Sequence, residues 1–124
     1  MNDGANNPTT YTKANVKSAV DKLLEITPDA DVVLVSTMVA NNKSEGWYAN
    51  SIGREAPLQA LASEYRAAGV DCAVSCMTST SEAVLTRKDF HDYSGNNINH
   101  PNDYFARIYA QTLLQCVIGY ENMN

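Results

Sequence analysis

The run Asp31–Met38, DVVLVSTM, restricts the fold more than any other stretch of the chain. Uninterrupted aliphatic, β-branched residues are the pattern of a strand covered on both faces, which is the situation of strands in parallel sheets. Parallel neighbours cannot be joined by a tight turn and need a crossover, usually a helix. The flanking sequence supplies helices. After a polar, turn-rich start over 1–10, Val16, Val20, Leu23 and Leu24 recur on one side of a helix capped by Thr10, with Lys13, Lys17, Asp21 and Glu25 elsewhere. Thr27-Pro28 ends it, because a residue before proline is pushed out of the helical region.

Beyond the run, residues 52–68 are again helical in pattern, with Ala56, Leu58, Leu61, Ala62 and Tyr65 facing inward and Gly69 placed to terminate the helix. Val70–Met77, VDCAVSCM, is a second strand. Ser79 and Glu82 then stand at capping-box spacing for a short helix through Arg87. The last helix follows a Gly/Asn-rich loop. Pro101 suits its first position, Asp103 adds negative charge to the first turn, and Phe105, Ile108, Tyr109, Leu113, Cys116 and Val117 recur at helical spacing.

This order predicts an α/β layered domain with parallel strands near 31–38 and 70–77, and residues 1–124 form one unit with no linker inside it. Two parallel strands cannot by themselves satisfy their edges or bury both faces. The sheet is therefore expected to be part of a larger one.

Nine basic and fourteen acidic residues give a net charge of −5, and the positive residues are scattered. A phosphate-backbone partner requires a basic footprint, so nucleic-acid binding is not expected. The longest apolar run is far too short to span a bilayer, and MNDGANNPTT has neither the basic nor the apolar region of a signal peptide. Cys72 and Cys76 lie four apart in a strand, about 13 Å by the strand rise, which is too far to bridge. All three cysteines, with Cys116, read as small buried side chains, and no metal-ligand spacing or cofactor motif is present.

The candidate site residues cluster after strand ends. The loop VANNKSEGWYANSIG follows the first strand at its carboxyl end, where open α/β sheets place ligands, and Trp47 and Tyr48 in it are candidates to line a substrate cleft. His100 is fixed at a loop-to-helix junction as a candidate general base. His91 reads as a surface residue.

The block Asn97-Ile98-Asn99-His100-Pro101-Asn102-Asp103 resembles the last block of the SGNH (GDSL-type) esterases and lipases, a histidine followed by proline that opens the C-terminal helix. Met1-Asn2-Asp3-Gly4 is similar to the family's Gly-x-Asn-Asp block with the leading glycine cut away. The order of helices and strands between the two also agrees. The resemblance covers the whole chain but only the second part of the family's fold. It implies a truncated three-layer αβα, flavodoxin-like SGNH hydrolase domain, whose activity is acyl or acetyl ester hydrolysis on a carbohydrate or lipid ester, without metal or organic cofactor.

By the same resemblance, His100 takes the proton of a serine nucleophile and Asn2 donates its amide to the oxyanion, a donor worth roughly 3 kcal/mol. Two departures stand out. The family's acid position, three before the histidine, holds Asn97, which orients an imidazole without stabilising its cation by charge. Asp92 in the same loop is the candidate substitute. The Gly-Asp-Ser block and the oxyanion glycine have no counterpart: Ser36, Ser44, Ser51, Ser75, Ser79 and Ser81 are present, but none sits in a strand-to-helix elbow. The chain alone is thus expected to be catalytically silent, completed by a missing N-terminal segment or a second copy. The other reading is a non-catalytic assembly module, a homo-oligomer paired through the edge of 31–38. A nucleotide-binding flavodoxin-like module is disfavoured, since no glycine-rich loop follows a strand.

Overall fold

A computed structural model describes residues 8–119 of the chain, with side chains from position 12 onward. The elements are α1 (Pro8–Ile26), β1 (Val32–Val35), α2 (Glu45–Ile52), α3 (Glu55–Ala67), β2 (Cys72–Ser75), α4 (Met77–Leu85) and α5 (Asp103–Ile118), with a 3-10 turn at Phe90–Asp92 before α5. β1 and β2 pair in parallel, Val32 opposite Cys72 and Val35 opposite Ser75, and they form the sheet of the described residues. The mixed α/β class and the parallel pairing agree with the sequence.

Strand alternation divides the side chains between two faces. Val32, Leu34 and Cys72 point into a core with Val20 of α1 and Leu58, Leu61, Ala62 and Tyr65 of α3. Here the expected inward residues of both helices are found, except that Leu23 and Ala56 are exposed. On the opposite face α5 crosses β2 more closely than β1. Val33 is half-buried and Val35 is 44% exposed, so the run expected to be covered on both faces is covered on one. α5 is anchored through a second cluster, in which Phe105 packs with Tyr93, Met38 and Met77 at 0–2% exposure.

Several boundaries differ from the sequence reading. Both strands are four residues long, shorter than 31–38 and 70–77. Part of the loop after β1 folds as α2, which includes Trp47 and Tyr48. α1 starts at Pro8, so Thr10 lies inside it. Pro101 precedes α5 rather than opening it; the cap is Asn102, whose side chain accepts a hydrogen bond from the Phe105 N–H at 3.0 Å. Ser79 lies within the first turn of α4 instead of capping it, and the helix ends at Leu85.

Candidate functional site at the carboxyl end of β1

The loop leaving β1 is tied into the protein by its own backbone. Four consecutive N–H groups donate to four different elements: Met38 to Tyr109 Oη of α5 (2.5 Å), Val39 to Ser81 Oγ of α4 (2.8 Å), Ala40 to Ser51 Oγ of α2 (2.9 Å) and Asn41 to the Ile98 carbonyl (2.8 Å). Met38, Val39 and Ala40 are at most 2% exposed. A buried amide without a partner is costly, so these four bonds fix the relative positions of everything they reach. Burial pushes the Tyr109 hydroxyl above its ordinary pKa, so it remains protonated while it accepts from Met38. The sequence reading named Ser51 and Ser81 only as serines outside an elbow and Tyr109 only as part of an apolar face; their hydroxyls meet the loop across 11, 42 and 71 residues, which leaves no local pattern.

Glu55 performs a similar task beneath the loop. It is 6% exposed and its carboxylate accepts from Ser36 Oγ (2.7 Å), from the Thr78 and Ser79 N–H groups (2.9 and 3.2 Å), and from Ser79 Oγ. The acceptors thus satisfy the orphan N–H groups of the first turn of α4, where the helix dipole favours a negative charge. Burial, the largest influence, pushes the Glu55 pKa up, but the bonds from Ser79, Ser36 and Thr78 outweigh it and hold the carboxyl below its ordinary value. Glu55 therefore caps α4 in place of the expected local capping box.

The histidine loop is organised by Asn96. Its Oδ1 accepts from the N–H groups of Ile98, Asn99 and His100 at 2.9–3.0 Å, a tight turn built by one asparagine side chain. Asn97 takes a left-handed backbone (φ 56°), a conformation asparagine tolerates better than most residues. The Asn97 carbonyl accepts from Asn41 Nδ2 at 2.9 Å, next to the bond between Asn41 N–H and Ile98 O. The loop thus docks onto the carboxyl end of β1. The His100 carbonyl accepts from Gly95 N–H and Ser94 Oγ, closing the turn, and its imidazole is exposed.

The other expected site residues are partly assembled around it. Trp47 and Asn99 line one small hollow of about 20 Å³, which places the aromatic loop beside the histidine turn. Tyr48 and Asn97 line a larger cleft of about 560 Å³ with Asn41, Lys43, Lys88 and His91. Asp92 faces elsewhere: its Oδ2 accepts from the Asp89 N–H at 3.2 Å, and its Oδ1 lies 3.3 Å from His91 Nε2. Among the described residues no carboxylate oxygen comes within 4.0 Å of a His100 ring nitrogen. Asn2 lies outside the described residues. Donor atoms of Asp89, His91 and Asp92 converge within 4.8 Å of one another, all on exposed side chains.

Five of the six serines named from the sequence are held in place by burial or by hydrogen bonds. Ser36, Ser51 and Ser81 are buried and bonded as described, Ser75 is fully buried, and Ser79 is held by Glu55. The N–H groups of Met38, Val39, Ala40 and Asn41 are occupied as well. Comparison with protein-family models, with curated proteins and with solved structures finds no match to this chain. No described helix is long and apolar enough to cross a membrane.

Proposed function

We propose that the chain is the histidine-bearing part of an SGNH-type ester hydrolase and is inactive alone. The observation that carries this reading is the docking of the His100 turn onto the carboxyl end of β1 through Asn41, beside Trp47, in the position where a parallel sheet presents its site. In this reading His100 accepts the proton of a serine hydroxyl supplied by another segment, and Asn2 donates to the oxyanion. Asn97 or Asp92 orients the imidazole, Asp92 only after its carboxylate leaves Asp89 and His91. The substrate is an acyl or acetyl ester of a carbohydrate or lipid, with no organic cofactor and no metal.

The test is hydrolysis of a short-chain nitrophenyl ester by the chain alone, and by the chain joined to a segment carrying a Gly-Asp-Ser elbow. The expected result is no rate above buffer for the first, and for the second a rate that His100→Ala lowers roughly 100- to 10,000-fold, the usual contribution of a general base. A clear rate from the chain alone, abolished by His100→Ala, would sink the divided site. A joined protein indifferent to His100→Ala would sink the role of the histidine.

A second reading is favoured by the outer edge of β1, which among the described residues has no strand beside it. In a parallel ladder alternate residues face alternate neighbours, and since Val32 and Ser36 N–H donate to β2, the backbone of Val33 and Val35 faces outward. A groove of about 260 Å³ runs along that edge, and Thr12 Oγ1 and Thr37 Oγ1, buried without partners among the described residues, line it. In this reading the chain is an assembly module that pairs there with a copy of itself. Light scattering that shows a stable monomer at micromolar concentration would count against it.

A further inference from the structure

The cysteines end in a different arrangement from that of three buried apolar side chains. Cys72 is buried in the core beneath α3, but Cys76 and Cys116 are half-buried and meet at the edge of β2 that faces away from β1. Cys76 follows β2 at the start of α4, and Cys116 lies in the last turns of α5. Their thiols reach the same acceptor: Cys76 Sγ is 3.7 Å and Cys116 Sγ 3.5 Å from the Val74 carbonyl oxygen. The two sulfurs are therefore separated by no more than the sum of those distances, although the residues stand forty positions apart in sequence.

We propose that Cys76 and Cys116 are a redox-modifiable dithiol pair, oxidised by a peroxide to a disulfide that ties the end of α5 to the β2–α4 junction. Each sulfur contacts side chains or carbonyls that do not clamp it. Cys76 Sγ accepts from Gln59 Nε2 at 3.4 Å, and Gln59 is exposed; Cys116 Sγ has the Thr112 carbonyl as a second acceptor at 3.4 Å within its own helix. Closing the gap requires rotation about the two Cα–Cβ bonds and a small shift of the α5 end, where Leu113, Leu114 and Val117 are 39–66% exposed and offer little resistance.

The chemistry balances with hydrogen peroxide as the oxidant. The deprotonated Cys76 sulfur attacks one peroxide oxygen, the S–O bond forms as the O–O bond breaks, and the released hydroxide takes a proton to leave as water. The Cys116 sulfur, after losing its proton, attacks the Cys76 sulfenic acid; the S–S bond forms, the S–O bond breaks, and the second oxygen leaves as water. Two thiols lose two electrons and peroxide gains them. Burial, followed by the proximity of Cys76, pushes the Cys116 thiol above its ordinary pKa, which suits the second, resolving position better than the first.

The pair is tested by treating the reduced full chain with hydrogen peroxide, removing the peroxide, and counting free thiols in denaturant alongside intact mass. The expected result is a fall from three thiols to one with loss of two hydrogen atoms and no change in the number of chains per molecule. In Cys76→Ser and in Cys116→Ser both remaining thiols should escape disulfide formation. Cys72→Ser should still lose both of its thiols. In the oxidised wild type, amide exchange over 112–118 should slow relative to the reduced protein, because the end of α5 is held down. A full complement of thiols after treatment, a covalent dimer, conversion of Cys76 to sulfinic acid, or disulfide formation in Cys76→Ser would each overturn the proposal.

Discussion

The two faces of the sheet are built to different standards. On the side of α1 and α3, Val20, Val32, Leu34, Leu58, Leu61, Ala62, Tyr65 and Cys72 interlock at no more than 7% exposure. On the side of α5 the packing is concentrated at one end, where Phe105, Tyr93, Met38 and Met77 are buried, and it thins along the helix until Val117 is 66% exposed. Both faces satisfy the same rule, that an apolar stripe must be covered, but only the first does so along its full length. The second holds α5 by its N-terminal end, which is also the end that carries the His100 turn. The packing that anchors the helix and the geometry that positions the candidate base are thus one structure.

The largest effects should come from the two anchors. Leu61, fully buried between α1 and the sheet, should cost about 2–5 kcal/mol on truncation to alanine, through lost burial plus the cavity left behind. Phe105→Ala should cost about 3–5 kcal/mol for the same reason, with the stacking against Tyr93 (centroids 4.8 Å) and Tyr109 (5.6 Å) lost in addition. Chemical denaturation of both variants checks this. If Phe105→Ala costs less than about 1 kcal/mol, the second cluster is not a true anchor and the comparison between the faces fails.

A smaller effect is expected at Glu55, which joins the two faces by reaching from α3 to the start of α4. Glu55→Gln keeps the shape but puts an amide N–H₂ where a carboxylate oxygen now accepts, and should cost about 2 kcal/mol at neutral pH. The sign of the pH dependence follows from the depressed pKa. A carboxyl whose folded value lies below its ordinary 4.5 contributes stability that is present above that value and is lost as pH falls through the folded value. Asp21, lowered by the hydrogen bonds from Lys17 and Tyr65, adds to the same acid slope in both proteins. The difference between wild type and Glu55→Gln should therefore shrink below about pH 4.5. Urea unfolding of both proteins from pH 7 downward measures it, and a gap that widens on acidification would contradict the assignment of Glu55 as an ionised cap.

How much of this was legible in the sequence depended on the range of the interaction. β1 and β2 could be read from short apolar runs and α1, α3 and α5 from a helical period, all of them local signals, and Gly69 with its positive φ ends α3 as expected. α2 could not, since EGWYANSI has a glycine near its start and no apolar stripe. The cap of α4 was read as Ser79 and Glu82, but it is Glu55, a pairing across twenty-odd residues that leaves no local pattern. The meeting of Cys76 with Cys116 was invisible for the same reason, while the distance argument against Cys72–Cys76 used only strand geometry. At the candidate site, the turn-forming role of the asparagines was legible, whereas the docking of that turn through Asn41 was not.

Periodicity also says which residues share a face without saying whether anything covers it, and α5 isolates that distinction. Phe105 and Val117 were placed on the same apolar face by spacing, yet one is fully buried and the other mostly exposed. The same kind of truncation should therefore have opposite signs in one helix. Phe105→Ala removes a buried ring. Val117→Ala removes little burial and replaces a β-branched residue by the best helix former, so its effect should lie between neutral and a gain of about half a kcal/mol, reduced by fraying so near the helix end. Thermal unfolding at two protein concentrations separates the outcomes. A stability unchanged or slightly raised at both concentrations fits an uncovered end of α5, whereas a loss above about 1 kcal/mol that grows with concentration would mean that a second copy covers this end. The contrast between the faces would then belong to the isolated chain and disappear in its assembly.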